Sequence, residues 1–255
     1  MADAVRAAGA ILPLLPLADL VARGSVLTKT CTPFKSFTSF WHALRQSDIA
    51  APLPTSNLSP PDRWPVGNGL DWLKSRAAMN RGWNLGAAHV HASEAAAHDR
   101  LDAFLGRITA GYSARRDRPA ESDATSGLSD ALAVGKISAR PIRHRGLAAQ
   151  DHGRGRVEDF LRELAWREFS RDLFHIAPGM GRAYWRREWT HFPWLGERRG
   201  LAAGPHGKMF ATGRMHNRVR MIAASFLVKH LLIDWRVGLD WFARACPIGR
   251  RPAMQ

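Results

Sequence analysis

The chain has 255 residues, 45% of them hydrophobic, with 37 Lys+Arg against 22 Asp+Glu and a net charge of +15, so one large domain or two small ones with a packed core are feasible. Cys31 and Cys246 lie too far apart for a CxxC motif or a disulfide framework, no apolar run approaches the ~18 residues of a membrane span, and residues 10–18 are too short and proline-broken for a signal peptide, so a reducing cytoplasm is expected. The basic excess favours polyanionic partners, nucleic acid first, although arginine-heavy coding bias gives the same totals.

Residues 1–24 show a weak helical pattern that ends at Gly24. Residues 25–31 (SVLTKTC) alternate and are β-branched, which predicts a short strand. Phe34, Phe37, Phe40, Trp41 and Leu44 form an apolar helical face over 32–45. Prolines 52, 54, 60, 61 and 65 lie among Ser, Asn and Gly and predict an extended linker. Ser93 suits an N-cap, with Glu94 favourable in the first turn. Ala97, Leu101, Phe104, Leu105, Ile108 and Tyr112 continue that helix as one apolar stripe. Residues 115–127 read as a charged loop, and 157–177 as a second strong helix stopped by Pro178–Gly179. The stretch 213–241 (GRMHNRVRMIAASFLVKHLLIDWRVGLDW) reads as one helix, apolar nearly all round beyond Met221 and therefore buried. The tail 246–255 reads as coil. Strand signals are sparse after residue 45, so a mainly α fold is expected.

Candidate chemistry lies on three of these segments. Asn217, Arg220, Met221 and Ala224 share one face of the last helix. An amide and two guanidiniums at the head of a buried helix need polar or anionic partners; the alternative is a core helix with a solvated basic end. Glu163, Trp166 and Arg167 share a face of the 157–177 helix. They form either an ordinary ion pair beside a core Trp, or a stacking platform whose polar groups read the edge of an extruded base. Tyr112 and Arg116 precede Thr125–Ser129 (TSGLS), where small residues let backbone amides approach a phosphate. His89 and His91 have no third ligand nearby and read as surface, so no metal is expected. No Ser/His/Asp order or Walker-type loop stands out.

The string MHNRVRMIAASFLVKHLLIDWR closely resembles a block of the DNA photolyase and cryptochrome family, of the class I, cyclobutane-dimer type. ELAWREF, TSGLS and VLTKTCTPFKSFTSFWHAL resemble further blocks of the same family. The resemblance implies a mainly α fold, an incomplete helical FAD-binding domain over 89–245. Residues 1–48 then correspond to a short remnant of the preceding α/β antenna domain, 49–88 to a Pro-rich interdomain linker, and 246–255 to an irregular tail. It also implies noncovalent FAD, blue-light repair of cyclobutane pyrimidine dimers in DNA, and a monomer with no membrane attachment. By the matching motifs, Glu163 would bond the dimer's bases and Trp166 would stack on them, with Asn217 and Met221 contributing from the last helix. Tyr112, Thr125, Ser126, Leu128, Ser129, Arg167 and Arg220 would lie at the FAD. Arg116 and Arg218 would contact DNA. Trp194 and Trp235 match two members of an electron-transfer chain, each being a core aromatic on the plainer reading.

Departures from the family pattern carry expectations of their own. Cys31 stands in place of a glycine, and a cysteine resists φ > 0. Gly127 stands in place of an arginine, so the loop is expected to be looser and to lack a cation. LGERRGLAAGPHGKMFAT replaces a GxTGYPxVDAxMRQL-type helix, and Arg214 replaces a Trp. No DxDxAxN-type segment follows DWF, which would leave Arg220 buried and unpaired at about 3–5 kcal/mol. The chain is therefore expected to be shortened internally and at both ends, without an antenna chromophore and with weakened repair. The alternative is a flavin-free basic DNA-binding remnant or the product of a broken gene.

Overall fold

The structure, a computed structural model, describes residues 19–54, 59, 62–63, 93–107, 111–121, 123–151, 157–195 and 215–245. Among these the chain is helical, and β pairing is limited to isolated bridges, Leu27 with Pro33 and Leu195 with Ile233. The helices are α1 (Phe37–Gln46), α2 (Glu94–Arg107), α3 (Tyr112–Arg115), α4 (Ser129–Ala133), α5 (Ala139–Asp151), α6 (Glu158–Ile176), α7 (Asn217–Ser225) and α8 (Trp235–Ala245). Most of the expected linker, His89 and His91, nearly all of the segment 195–212 and the 246–255 tail lie outside the described residues. Among the described residues no helix is long and apolar enough to cross a membrane.

The organising element is α6. It buries Phe160, Leu161, Leu164, Ala165 and Phe169 and ends at Ala177, where Pro178 cannot continue the helix. Helix α1 lays Phe37, Phe40 and Leu44 against it, at the i, i+3, i+7 spacing of one face. Helix α5, for which the sequence carried no specific expectation, closes tightly at Gly146: a Cβ there would lie 3.2 Å from Leu161 and Val157. Helix α2 completes the core with Ala97, Leu101, Phe104 and Leu105. Its N-terminus is capped as the sequence predicts, Ser93 Oγ accepting from Ala96 N at 3.0 Å.

Three local expectations are corrected. Residues 25–31 form no strand; Thr28 N donates to Thr32 O and Cys31 N to Thr28 O, closing a tight loop knit by the hydroxyls of Thr28, Thr30 and Thr32. Cys31 sits at φ 55, the left-handed region that its side chain resists. The expected stripe is broken before Tyr112, because Gly111, at φ 80, redirects the chain into α3; Ile108 lies outside the described residues.

The third correction concerns 213–241. Helix α7 stops at Ser225, a π turn follows over Phe226–His230, and Leu232 at φ 49 reverses the chain before α8. Asp234 fixes the restart: its Oδ1 accepts from Arg236 N at 2.8 Å, a side-chain N-cap in the middle of an apolar run. Leu227 and Ile233 then form a small second core with Leu231, Val237 and Trp241. Helix α7 and the start of the π turn are not buried: Met221, Ile222 and Phe226 are 55%, 61% and 51% exposed, since no described element packs over that face.

Candidate functional site

Glu163, Trp166 and Arg167 leave α6 toward three different neighbours. Glu163 Oε1 pairs with Arg116 Nη2 at 2.7 Å. Trp166 lies flat on Phe37, with ring centroids 3.7 Å apart and planes 9° from parallel, and stays 44% exposed. Arg167 Nη1 turns inward to Glu168 Oε1 at 2.6 Å. The ordinary Glu163–Arg167 helical pair is therefore not what forms, and Trp166 is neither core nor free: one ring face is backed and part of the ring is open.

Arg116 gathers the surrounding groups. Besides Glu163, its Nη1 reaches the carbonyl of Asp159 at 3.5 Å and its guanidinium lies 6.0 Å from the Tyr112 ring centroid. Tyr112 packs edge-on against Phe104 and Phe160, and burial pushes its phenol up to about 12 against the opposing pull of Arg116. Next along the chain, Asp117 accepts from Arg218 Nη2 at 2.5 Å, which holds its carboxyl below the usual range. His216 caps α7: its Nδ1 accepts from Arg218 N at 3.2 Å while its Nε2 lies 2.9 Å from Arg116 O. Accepting at Nδ1 leaves the ring proton on Nε2, which donates to that carbonyl. Arg116, Asp117, Glu163 and Arg218 thus form one charged cluster drawn from three segments far apart in sequence.

On α7 itself, Asn217 Nδ2 lies 3.9 Å from Met221 Sδ, and both residues are exposed. Arg220 is exposed and donates to Met215 O at 3.4 Å, so the expected buried, unpaired guanidinium and its energetic cost do not arise.

The loop ahead of α4 holds Thr125, Ser126 and Gly127 half-buried and Ser129 exposed, while Leu128, 2% exposed, pins it to the core. Gly127 adopts φ 62, and a Cβ there would fall 2.6 Å from Arg100 Nη2. Arg100, from α2, lies across the glycine and donates from Nε to Ser126 O at 2.8 Å. The loop therefore has a cation after all, supplied by a helix and not by its own third position.

Trp194 and Trp235 meet through a third ring. Tyr184 is parallel to Trp194 at 6.3 Å and edge-on to Trp235 at 6.0 Å. Its hydroxyl donates to Asp234 Oδ2 at 2.8 Å. Hydrogen bonds from Arg236 bring the Asp234 carboxyl down to about 2.

Comparison with known proteins locates this arrangement. A family model for the FAD binding domain of DNA photolyase matches residues 160–247. A deoxyribodipyrimidine photo-lyase of Agrobacterium fabrum is 36% identical over 245 residues, covering 84% of this chain and 48% of the relative. The Escherichia coli deoxyribodipyrimidine photo-lyase is 41% identical over 172 residues, covering 61% of this chain and 36% of the relative. The crystal structure of a bacterial class III photolyase from Agrobacterium tumefaciens superposes with a TM-score of 0.85 at 32% identity, over 99% of this chain and 55% of that one. Over most of its length the chain is thus similar to DNA photolyases, with their FAD binding domain matched over residues 160–247. It spans about half the length of the curated photolyases it matches, and a Synechocystis cryptochrome shares the fold, with a TM-score of 0.64 at 23% identity.

Within this photolyase-family fold, sequence reasoning overlooked a buried ionic clamp. Glu168, 4% exposed, accepts from Leu20 N at 2.8 Å, and Asp172 accepts from Gly24 N at 2.8 Å. Asp19 pairs with Arg171 at 2.7 Å and with Arg23 at 2.9 Å. These bonds tie residues 19–24 to α6, some 148 residues away in sequence. Burial pushes Glu168 up to about 7 despite the adjoining Arg167. The signal was present as acids at 168 and 172 on the apolar side of α6, one turn apart.

Proposed function

We propose that this chain binds FAD and DNA containing pyrimidine dimers, and takes part in their repair under blue light. The observation that carries the reading is the pairing, on one helix, of a backed but open Trp166 with a Glu163 held by Arg116. A ring fixed from behind and open in part suits stacking on an extruded base, and a neighbouring carboxylate accepts hydrogen bonds from base N–H groups. In this reading Asn217 and Met221, exposed on α7, also face the substrate. Arg116 and Arg218, each paired with a carboxylate, offer their remaining N–H donors to phosphates in this reading, in keeping with a net charge of +15.

The residues present fit the diphosphate of FAD. The Thr125–Ser129 loop offers hydroxyls, a glycine with no room for a side chain, and a guanidinium lying across it. In this reading Thr125, Ser126 and Ser129 hold the cofactor, Leu128 anchors the loop, and Tyr112 and Arg220 line the approach. Arg167 supports α6 through Glu168. A bound flavin would supply the photoexcited electron that opens the cyclobutane ring. Trp235, Tyr184 and Trp194, in ring contact, support a route for electrons between the surface and the interior.

The test is a fluorescence-anisotropy titration of the FAD-reconstituted protein with oligonucleotides that differ only in one thymine dimer. Flavin absorbance retained through desalting and a dimer preference of about tenfold or more, from one base-stacking contact, are expected. Equal affinity for both oligonucleotides with no retained flavin contradicts the reading.

A further inference from the structure

We propose that Arg100 is an anion-binding residue of the Thr125–Ser129 loop, contributed by α2 to the diphosphate of a dinucleotide; this rests on the flavin reading above and names a residue for it. Three observations on the loop carry it. First, the guanidinium lies against the Gly127 backbone: a Cβ there would sit 2.6 Å from Nη2 and 3.1 Å from both Cζ and Nε. Any side chain at 127 displaces the arginine, and φ 62 also disfavours one. Glycine at 127 and arginine at 100 are thus one steric device.

Second, among the described residues only Nε is engaged, donating to Ser126 O, and no carboxylate there forms an ion pair with Arg100. Several other arginines of the helical body have carboxylate partners: Arg116 pairs with Glu163, Arg145 with Asp102, and Arg115 and Arg118 with Glu121. An arginine held rigid through one nitrogen and left without a counter-anion keeps its remaining N–H donors for an external one.

Third, the groups beside it are donors of the kind a phosphate accepts from. Among the described residues the hydroxyls of Thr125, Ser126 and Ser129 make no hydrogen bond, and the amides of Ser126 and Gly127 donate to no backbone acceptor. A guanidinium, hydroxyls and backbone amides converging on a small-residue loop form a concavity suited to a diphosphate.

The experiment compares FAD, riboflavin and inorganic pyrophosphate as ligands by equilibrium titration of the full chain, for the parent, Arg100→Gln and Gly127→Ala. Arg100→Gln is expected to weaken FAD and pyrophosphate about tenfold, the loss of one charge-assisted contact, and to leave riboflavin unchanged. It should also reduce the salt dependence of FAD binding. Gly127→Ala, which keeps Arg100 but displaces it, is expected to do the same, and thermal melts confirm that each variant folds. If FAD and riboflavin weaken together, or neither weakens, the assignment of Arg100 is overturned. If the parent binds no flavin of either kind, the flavin reading falls. Pyrophosphate then decides the site alone: binding lost in Arg100→Gln sustains it, and no binding by the parent overturns it.

Discussion

Trp166 offers two separable roles, and Trp166→Ala measures both. A folded Trp typically buries ~150–250 Å². With 44% of the residue exposed, roughly half of that area is covered here, chiefly by Phe37. At about 25 cal/mol per Å² the covered share stabilises by ~2–3 kcal/mol before the smaller share that an alanine retains is taken off. The parallel contact with Phe37 adds about 0.5–1.5 kcal/mol. On the proposed reading the open part of the ring takes part in DNA binding, where a base stacked on an aromatic is worth ~1–3 kcal/mol, or about five- to 150-fold in affinity. Trp166→Phe keeps much of both. Urea denaturation measures the first role, and anisotropy with a dimer-containing oligonucleotide, at a temperature where the variant is fully folded, measures the second. A loss of stability with dimer affinity unchanged within twofold would make Trp166 a packing residue only and refute the platform argument.

Cys31→Gly should stabilise the fold by ~0.5–1 kcal/mol, because left-handed strain of about 1–2 kcal/mol exceeds the added chain entropy of glycine; a lowered urea midpoint contradicts this. Glu168 is pushed up to about 7 from 4.5, so the folded state holds its proton more tightly than the unfolded one between those values. Stability from this group is present at low pH and falls as pH rises through that window, by up to about 3 kcal/mol. Glu168→Gln should flatten the stability profile between pH 4.5 and 7, and a profile as steep as the parent's contradicts the assignment. Arg220→Ala should change stability by no more than ~0.5 kcal/mol, as for an exposed side chain; a loss of several kcal/mol would mean that Arg220 is buried against a partner.

The periodic part of this fold was legible in the sequence, since α1, α2 and α6 announce themselves by apolar stripes, an N-cap at Ser93 and a stop at Pro178. Two kinds of feature were not. The break between α7 and α8 hides inside an apolar run, where periodicity carries no directional signal; only Asp234, a capping residue amid leucines and isoleucine, marks it. Long-range polar contacts were also invisible: Arg116 with Glu163, and Asp19, Leu20 and Gly24 with α6, join positions that sequence spacing does not relate. Arg100 was missed for a similar reason. It sits beside Leu101 in an amphipathic helix and reads as a solvated charge until Gly127 is seen beneath it. The residues Glu163, Trp166, Arg116 and Arg218 were chosen from motifs alone, and the structure groups three of them around one ion-pair cluster.

The central claim is that this chain handles pyrimidine dimers by means of a flavin. Its most direct measurement is the recovery of 260 nm absorbance by a thymine-dimer oligonucleotide under blue light, with FAD-reconstituted protein and a reductant, against a dark control. The account predicts light-dependent recovery that is lost without FAD and reduced in Glu163→Gln and Trp166→Ala. Recovery absent from a folded protein with bound flavin, or unaffected by either substitution, would contradict it.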